Sequence, residues 1–487
     1  MTKSVGIIGA GISGLAAACK AAQRGFKVTV LEQHAEVGGR ARSFEKEGFT
    51  FDKGPSWYWM PDVFERFFNQ FDEDINDYLD LKRLDPSYQV IFTDSQHNIP
   101  ANFEDLKALF ESLEDGAGKQ LEAFMADAEY KYRKGMDSLV YKPGLSILEF
   151  AQWDVISALF KLQLLGSFTT LTEKYFTNPK ILEILNFPVL FLGAKPKDTP
   201  ALYSLMNYAD IKLGTWYPMG GMCEISEAFH QLALKLGVEF RFNCTVEKIL
   251  VEGKEAKGIQ CSLGDLKFDN VISAADYHFT EQKLLQEKHR NYNQAYWDSR
   301  VMSPSSLLFY VGVNKKLPNL EHHNLFFDTS FEAHAHTIYD EPSWPEKPLF
   351  YVCAPSKTDA SVAPEGKENL FFLVPIAPGI NEISEKEQIA YFKHLVQRVE
   401  NKIGESFMDE VAFCLPYSVS NFEEEYNSFK GNAYGLANTL KQTAFLKPRM
   451  KNKALKNVFY CGQLSVPGPG LPPAVISGQI VAELLTA

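Results

Sequence analysis

The sequence predicts an α/β fold: a doubly wound parallel sheet with an antiparallel β-meander, interrupted by two long α+β insertions. Three observations predict it. A strand, a glycine-rich turn, a helix and a second strand follow one another within the first 32 residues. Alternating segments separated by glycines come near residue 250. A last strand runs into glycine and is followed by a helix at the end of the sequence.

Taken in order, Val5 to Ile8 is a short buried strand and Gly9-Ala10-Gly11-Ile12-Ser13-Gly14 is the turn. Leu15 to Arg24 is alanine-rich and helical, closed by Gly25, and Lys27 to Leu31 is the second strand, with Glu32 at its end. From about Asp85 to Lys212 the periodicity is helical. Tyr217-Pro218-Met219-Gly220-Gly221 leads into a helix ending near Gly237, and Val238 to Phe242 reads as a strand. Thr245–Val251, Ala256–Ser262 and Leu266–Ser273 read as a meander, with Gly253 and Gly264 between them. The stretch from about His278 to Tyr426 is rich in Phe and Pro and holds strand-like runs at Ser306–Val313 and Leu370–Val374. Asn457 to Gly462 is again a strand, 467–473 a Pro/Gly loop, and Ala474 to Leu485 the final helix. There is no internal repeat and no low-complexity tail, so the pieces should pack as one body.

Composition excludes several functions. The 487 residues carry a net charge of −12, which argues against an electrostatically driven nucleic-acid binder and against a polybasic membrane anchor. No uninterrupted apolar run reaches the roughly 18 residues of a spanning helix. A strand beginning at Ser4 leaves no room for a cleavable leader. Seven cysteines without a CxxC pair fit a reducing cytoplasm. The expectation is a soluble, multi-domain intracellular protein.

A lone GxGxxG is weak evidence. Here it follows a strand, opens a helix and precedes an acidic residue at the end of the next strand, which is the context a bound dinucleotide requires. Gly9 permits the tight turn, Gly11 the approach of a pyrophosphate, and Gly14 close packing of helix on strand. Ile12 and Ser13 open the helix whose N-terminus faces the phosphates, and Glu32, with Gln33 beside it, would take the ribose hydroxyls. A carboxylate there also repels a 2′-phosphate. Gly38-Gly39-Arg40 and Gly54-Pro55-Ser56 suit close approach of backbone and guanidinium to a bulky cofactor.

Together these motifs resemble the FAD-dependent amine oxidase and phytoene desaturase superfamily. The segments 54–62, 217–222, 457–463 and 467–478 resemble more narrowly the carotenoid desaturases of bacterial phytoene desaturase type. The resemblance implies non-covalent FAD on a Rossmann-like domain of residues 1–84, 213–277 and 427–487, with a substrate domain of 85–212 and 278–426. It adds Gly220, Gly221, Met222, Val246, Gly462, Gln463, Gly470, Pro472, Ala474 and Val475 to the cofactor residues. Unpaired N–H groups near Ala474 and Val475 would face the flavin edge that becomes anionic on reduction. Gln463 departs from the pattern, because many relatives carry an acidic residue there.

The implied reaction is desaturation of a carotenoid polyene, with hydride passing to flavin N5 and a proton lost from the neighbouring carbon. Phytoene desaturation and 3,4-desaturation of a 1-hydroxylated or monocyclic carotenoid are both open. The alternatives are an amine or porphyrinogen oxidase and a non-catalytic isoprenoid carrier of the GDP-dissociation-inhibitor type. Intact Gly14, Gly39-Arg40 and the 467–478 segment count against the carrier, and Pro467 to Pro473 against the amine oxidase.

Residues 187–192, 57–60 and 306–310 suit an apolar tunnel, although each run also suits ordinary core. Glu129 and Arg133 are weak candidates for catalysis, and their i, i+4 spacing alone is explained by a surface ion pair. Residues 154–171 suit a helix in the membrane interface or a buried helix of the substrate domain, and the former implies peripheral attachment at the inner face of the membrane. His322-His323 and His334-Ala335-His336 read as loop histidines, since no Cys or carboxylate joins them at ligand spacing, so no metal is expected. Cys461 reads as a buried thiol rather than a flavin link.

Overall fold

In the computed structural model of the chain, which describes residues 2–145, 166–190, 193–439 and 441–485, the extended segments gather into two large sheets. The first is five-stranded and wholly parallel, in the order Val458–Tyr460, Asn270–Ser273, Ser4–Ile8, Lys27–Leu31, Glu239–Arg241. The first strand lies at its centre, with Ile7 between Val30 and Ile272. Order reverses there, so the crevice beyond the carboxyl end of this strand is where such sheets bind ligands.

Helices Ile12–Gln23 and Leu471–Glu483 pack against each other over this sheet. Their approach depends on Gly478, where a Cβ would lie 2.3 Å from Ser13 O and 2.8 Å from Ala16 Cβ. The antiparallel meander is Val246–Glu252, Glu255–Cys261 and Gly264–Lys267. The expected third segment, Leu266–Ser273, is two strands. Its first part closes the meander, and Asn270–Ser273 turns into the parallel sheet, where all four residues are buried.

The second large sheet has seven strands, in the order Val411–Tyr417, Ser305–Val313, Glu368–Ile376, Phe350–Cys353, His323–Phe327, Tyr88–Phe92, Gln96–Ile99. Its last two strands correct the helical reading of 85–212. Tyr88 to Phe92 is buried throughout, and a strand covered on both faces loses the polar alternation that would mark it. The helical reading does hold at Phe103–Leu113, Ala117–Ser138 and Pro179–Leu190.

Most of the segment expected to touch the membrane, residues 154–165, lies outside the described residues. Its end, Phe168–Glu173, is a short helix with Phe168 buried. Among the described residues no helix is long and apolar enough to cross a membrane.

Gly478→Val should lower stability by about 1–3 kcal/mol or more, because it forces two backbones apart in a close-packed layer. Equilibrium urea unfolding measures this, and an unchanged midpoint would show that the two helices do not meet as described.

Candidate active site

At the carboxyl edge of the parallel sheet two glycine segments cross. Gly9 has φ +96°, and Gly14 packs so tightly under it that a Cβ would lie 2.1 Å from Gly9 O. Gly11 is different: a Cβ there would meet nothing nearer than Gly39 Cα at 4.0 Å. Gly38 and Gly39 have φ +116° and +56°, and the Gly38 N–H donates to Ala10 O at 2.9 Å. The result is a cradle of bare backbone. The helix that starts at Ile12 has no side-chain cap, so the N–H groups of its first turn, around buried Ile12 and Ser13, are available to an anion.

Glu32 is buried beside this turn. One carboxylate oxygen accepts from Ala10 N–H at 2.7 Å and the other from His34 N–H at 2.9 Å. A carboxylate has about four lone-pair sites, so acceptor capacity remains for two hydroxyls. Cys244 N–H donates to Glu32 O, which sets the meander, beginning at buried Val246, against the same corner. Gln33 is engaged elsewhere, donating to Glu425 O at 2.9 Å.

Arg40 points into the interior. Its Nη2 donates to Ser428 Oγ at 2.7 Å, its guanidinium lies 5.0 Å from the Tyr426 ring centroid, and its Nε is buried without a partner. Burial lowers its pKa, with the charge of Asp276 among the groups opposing that. With the Gln463 amide oxygen toward Arg40 it accepts from Nη2 at 3.1 Å, and the amide nitrogen donates to Ala433 O at 3.2 Å. This orients the guanidinium without neutralising it, as an acidic residue there would. Nearby Glu425 pairs with Arg42 and with Lys53, the latter at 2.5 Å. Burial raises Glu425, but the hydrogen bonds from Lys53 and Tyr417 and the charge of Arg42 hold it below the usual range.

Gly54 brings its segment against Arg40, since a Cβ there would lie 2.8 Å from Arg40 O, and Ser56, just beyond Pro55, stands 3.1 Å from Tyr351 Oη. Gly220 and Gly221 both have positive φ. The Gly220 N–H donates to Asp359 at 2.7 Å and the Met222 N–H to Asp52 at 2.8 Å. Gly462 sits over the first helix, its Cβ position 3.5 Å from Ser13 Oγ.

The final helix corrects the sequence reading. It starts at Leu471, with Gly470 (φ +110°) before it, and Ala474 N–H donates to Gly470 O at 3.0 Å. Pro472 and Pro473 carry no N–H and Val475 is buried within the helix, so Leu471 N–H and the helix dipole are what this end offers.

Beyond Ser56 a cavity of about 110 Å³ opens against the seven-stranded sheet, lined among others by Phe187, Leu325, Phe331, Ile338, Tyr351 and Leu373. Among the described residues that line it, none is Asp, Glu, Lys or Arg. A second cavity, of about 280 Å³, adjoins it at Phe327, Phe331 and Leu349 and has Glu183 and Glu332 in its lining. Of the tunnel runs expected from sequence, Phe187 lines the cavity, and Trp57 stacks among Trp59, Tyr88 and Phe187 beside it. Leu307 to Tyr310 pack in the cores on either side of their strand, and 191–192 lie outside the described residues.

Of the four histidines only His322, in the bend before strand His323–Phe327, is a loop residue. His334 and His336 lie in helix Phe331–Tyr339, where His334 is held neutral: Leu349 N–H donates to Nδ1 at 3.0 Å, and Nε2 meets Pro375 O at 2.8 Å. Burial brings its pKa down to about 4. His322 and His323 are buried and a cysteine does join them, Cys353, paired with His323 across the sheet. Sequence spacing could not show a partner 30 residues away on another strand. The Nδ1 atoms are committed to hydroxyls, His322 to Thr358 at 2.7 Å and His323 to Tyr351 at 2.6 Å. Glu129 and Arg133 form an ion pair at 2.7 Å with side chains 40% and 68% exposed. Cys461 is buried against Ser13 O, and burial pushes its thiol up to about 12.

Residues 12–486 match the family model of flavin-containing amine oxidoreductases. The chain belongs to that family. Its cofactor is FAD, and the cradle, the unpartnered Arg40 Nε and the spare acceptors of Glu32 fit a dinucleotide. A carotenoid 3,4-desaturase of Haloarcula japonica is 40% identical over 99% of this chain and 98% of its own length. A zeta-carotene-forming phytoene desaturase of Myxococcus xanthus is 31% identical over 98% of the chain and 93% of its own. Among solved structures, an oxidoreductase of Methanosarcina mazei superposes with TM-score 0.63 at 16% identity, covering 99% of this chain and 100% of that one. Putrescine oxidase bound to putrescine superposes with TM-score 0.61 at 14% identity, covering 99% and 98%.

In this flavoprotein Gly11→Val should purify folded but without stoichiometric FAD, because its side chain fills the cradle and meets no protein atom closely. Absorbance at the flavin band against protein, with circular dichroism as the check on folding, measures it. A full flavin complement would show that the pyrophosphate lies elsewhere.

Asp210 is buried beneath the aromatic cluster, accepting from Tyr88 Oη at 2.8 Å and from Thr215 Oγ1 at 3.2 Å, and burial pushes it up to about 7. A carboxyl whose folded pKa exceeds its unfolded value contributes stability at low pH that is lost as pH rises through the folded pKa. The wild type should therefore lose stability relative to Asp210→Asn between about pH 4 and pH 7. Urea midpoints of both proteins at the two ends of that window test the sign.

Proposed function

We propose that this flavoprotein desaturates a carotenoid. The observation that carries the reading is the cavity beside Ser56, whose lining holds no charged residue where an amine or carboxylate substrate would need one. FAD, when bound, accepts a hydride. The chain's own residues hold the cofactor on bare backbone, keep an apolar chain stretched along the sheet, and exclude water from the reacting carbons. The 40% identity to the 3,4-desaturase over nearly the whole length favours 3,4-desaturation of a 1-hydroxylated or monocyclic carotenoid over phytoene desaturation. Likeness to the putrescine oxidase and to a Rab GDI of Plasmodium falciparum, at 14% and 13% identity, concerns the fold alone.

We assign cofactor binding to 1–84, 213–277 and 427–487, and substrate binding to 85–212 and 278–426. Residues 154–171 would collect the substrate from the cytoplasmic face of a membrane. Replacing Leu159, Phe160 and Leu164 with Ser should move the protein from liposome pellet to supernatant. Attachment of the wild type that salt reverses would instead point to basic residues.

Expression in one host that accumulates phytoene and another that accumulates a 1-hydroxylated carotenoid tests the reaction. The expected result is a red-shifted product lacking one hydrogen pair in the second host, and absence of any such product in both would defeat the reading. Glu129→Gln and Arg133→Gln should each cost less than about tenfold, well short of the 10²–10⁴-fold of a lost general base. Gly470→Val, at a positive φ before the last helix, should abolish turnover or flavin binding.

A further inference from the structure

A desaturation must dispose of a proton as well as a hydride, and the cavity lining offers few groups able to take one. Tyr351 belongs both to that lining and to the cofactor side: its Oη lies 2.6 Å from His323 Nδ1 and 3.1 Å from Ser56 Oγ. His323 is fully buried, its ring stacked on Trp57 at 3.9 Å between centroids and 13° between planes. Its Nε2 has no partner, so Nδ1 is its connected nitrogen. The other groups facing it are neutral: the Cys353 thiol, 3.7 Å from Nδ1, and the His322 imidazole, 4.4 Å away between ring centroids. His322 in turn donates to or accepts from Thr358, and the carboxylate nearest in charge, Asp359, is occupied by Gly220 and Ser361 N–H groups.

We propose that Tyr351 and His323 form the proton acceptor of the desaturation, Tyr351 as the catalytic residue and His323 as the positioning residue that takes the proton through it. This rests on the carotenoid reading above. The hydride leaves one carbon with its electron pair for FAD, the two-electron oxidant. The neighbouring C–H bond breaks and its electron pair becomes the second bond of the new C=C. That proton passes to Tyr351 Oη while the Tyr351 O–H, which donates to Ser56 Oγ at rest, turns and passes its proton to His323 Nδ1, leaving a neutral tyrosine and an imidazolium. The imidazolium returns its proton to Tyr351 Oη, the Tyr351 O–H passes a proton to Ser56 Oγ, and Ser56 releases its own hydroxyl proton to water as the product leaves, so that all three side chains end neutral. Burial holds His323 well below the ordinary histidine range, which makes it a poor base toward water. A C–H beside a delocalised allylic cation is acidic enough not to need a better one, and a poor base gives the proton up readily.

The test uses the holoenzyme and the carotenoid it converts, unlabelled or deuterated at the carbon that loses the proton. Tyr351→Phe and His323→Gln should keep FAD content and carotenoid affinity, the latter read from perturbation of the flavin spectrum. Product formation should fall about 10²-fold or more. The isotope effect at the deuterated carbon should rise from near unity to a primary effect, because proton loss becomes rate-limiting. A structural role would lower rate or affinity without moving that isotope effect, and this outcome, or a loss under about tenfold in both variants, overturns the proposal. A wild type that converts no carotenoid overturns the functional reading with it, whereas conversion with insensitive variants overturns this proposal alone.

Discussion

Everything in this molecule is arranged around one contact, the crossing of two backbones at Gly11 and Gly38-Gly39. A Cβ on Gly39 would lie 3.2 Å from Gly11 Cα, so no side chain at Gly39 can be added without parting the two backbones. Gly14 and Gly478 extend the constraint inward, each packed on main-chain oxygen at a distance no Cβ tolerates. Between them they fix the first helix against the sheet on one side and the last helix on the other. Glu32, Arg40 and Gly462 are arrayed on that layer and fixed by hydrogen bonds of their own, Glu32 to the Ala10 and His34 N–H groups, Arg40 to Ser428 Oγ and Gly462 to Ser477 Oγ.

Charge is distributed by the same logic. Where the cofactor's phosphates belong, the chain leaves donors unspent: an uncapped helix end and a buried guanidinium whose Nε has no partner. Arg42 and Lys53, close by, are instead paired with Glu425. A buried cation lacking one hydrogen bond is costly, and the cost is recovered when a phosphate arrives. Gln463 fits this scheme. An acidic residue in its place would bind Arg40 and compete with the ligand, whereas an amide orients the guanidinium and leaves its charge available.

The cradle was legible in the sequence because its signals are local. Gly9, Gly11, Gly14 and Glu32 lie within one βαβ unit, and backbone geometry there demands glycine whatever the rest of the chain does. The extent of the meander was not legible, since the break between Lys267 and Asn270 depends on which sheet each part joins. Tyr88–Phe92 was misread because burial on both faces erases alternation. Cys353 and Tyr351 beside His323 were invisible for a different reason: strand pairing brings them together, and no spacing rule encodes it. The start of the last helix was missed by three residues, because Pro472 and Pro473 look like a loop yet suit a helix's first turn, where no intrahelical N–H bond is lost.

Motif and packing thus divide the labour between the two large sheets. The parallel sheet presents glycine and backbone, which bind without titrating. The seven-stranded sheet presents rings, and the histidines buried on and around it, His322, His323 and His334, are kept neutral by desolvation. An apolar chain lying between them meets no fixed charge from the lining. A cation developing on that chain would then be stabilised by its own conjugation and by the faces of surrounding aromatic rings. In such a setting a strong base would be a liability, because once charged it would oppose the cation it is meant to discharge. A weak base held by one short hydrogen bond satisfies both demands, and the environment that weakens His323 is the same one that keeps water from the reacting carbons.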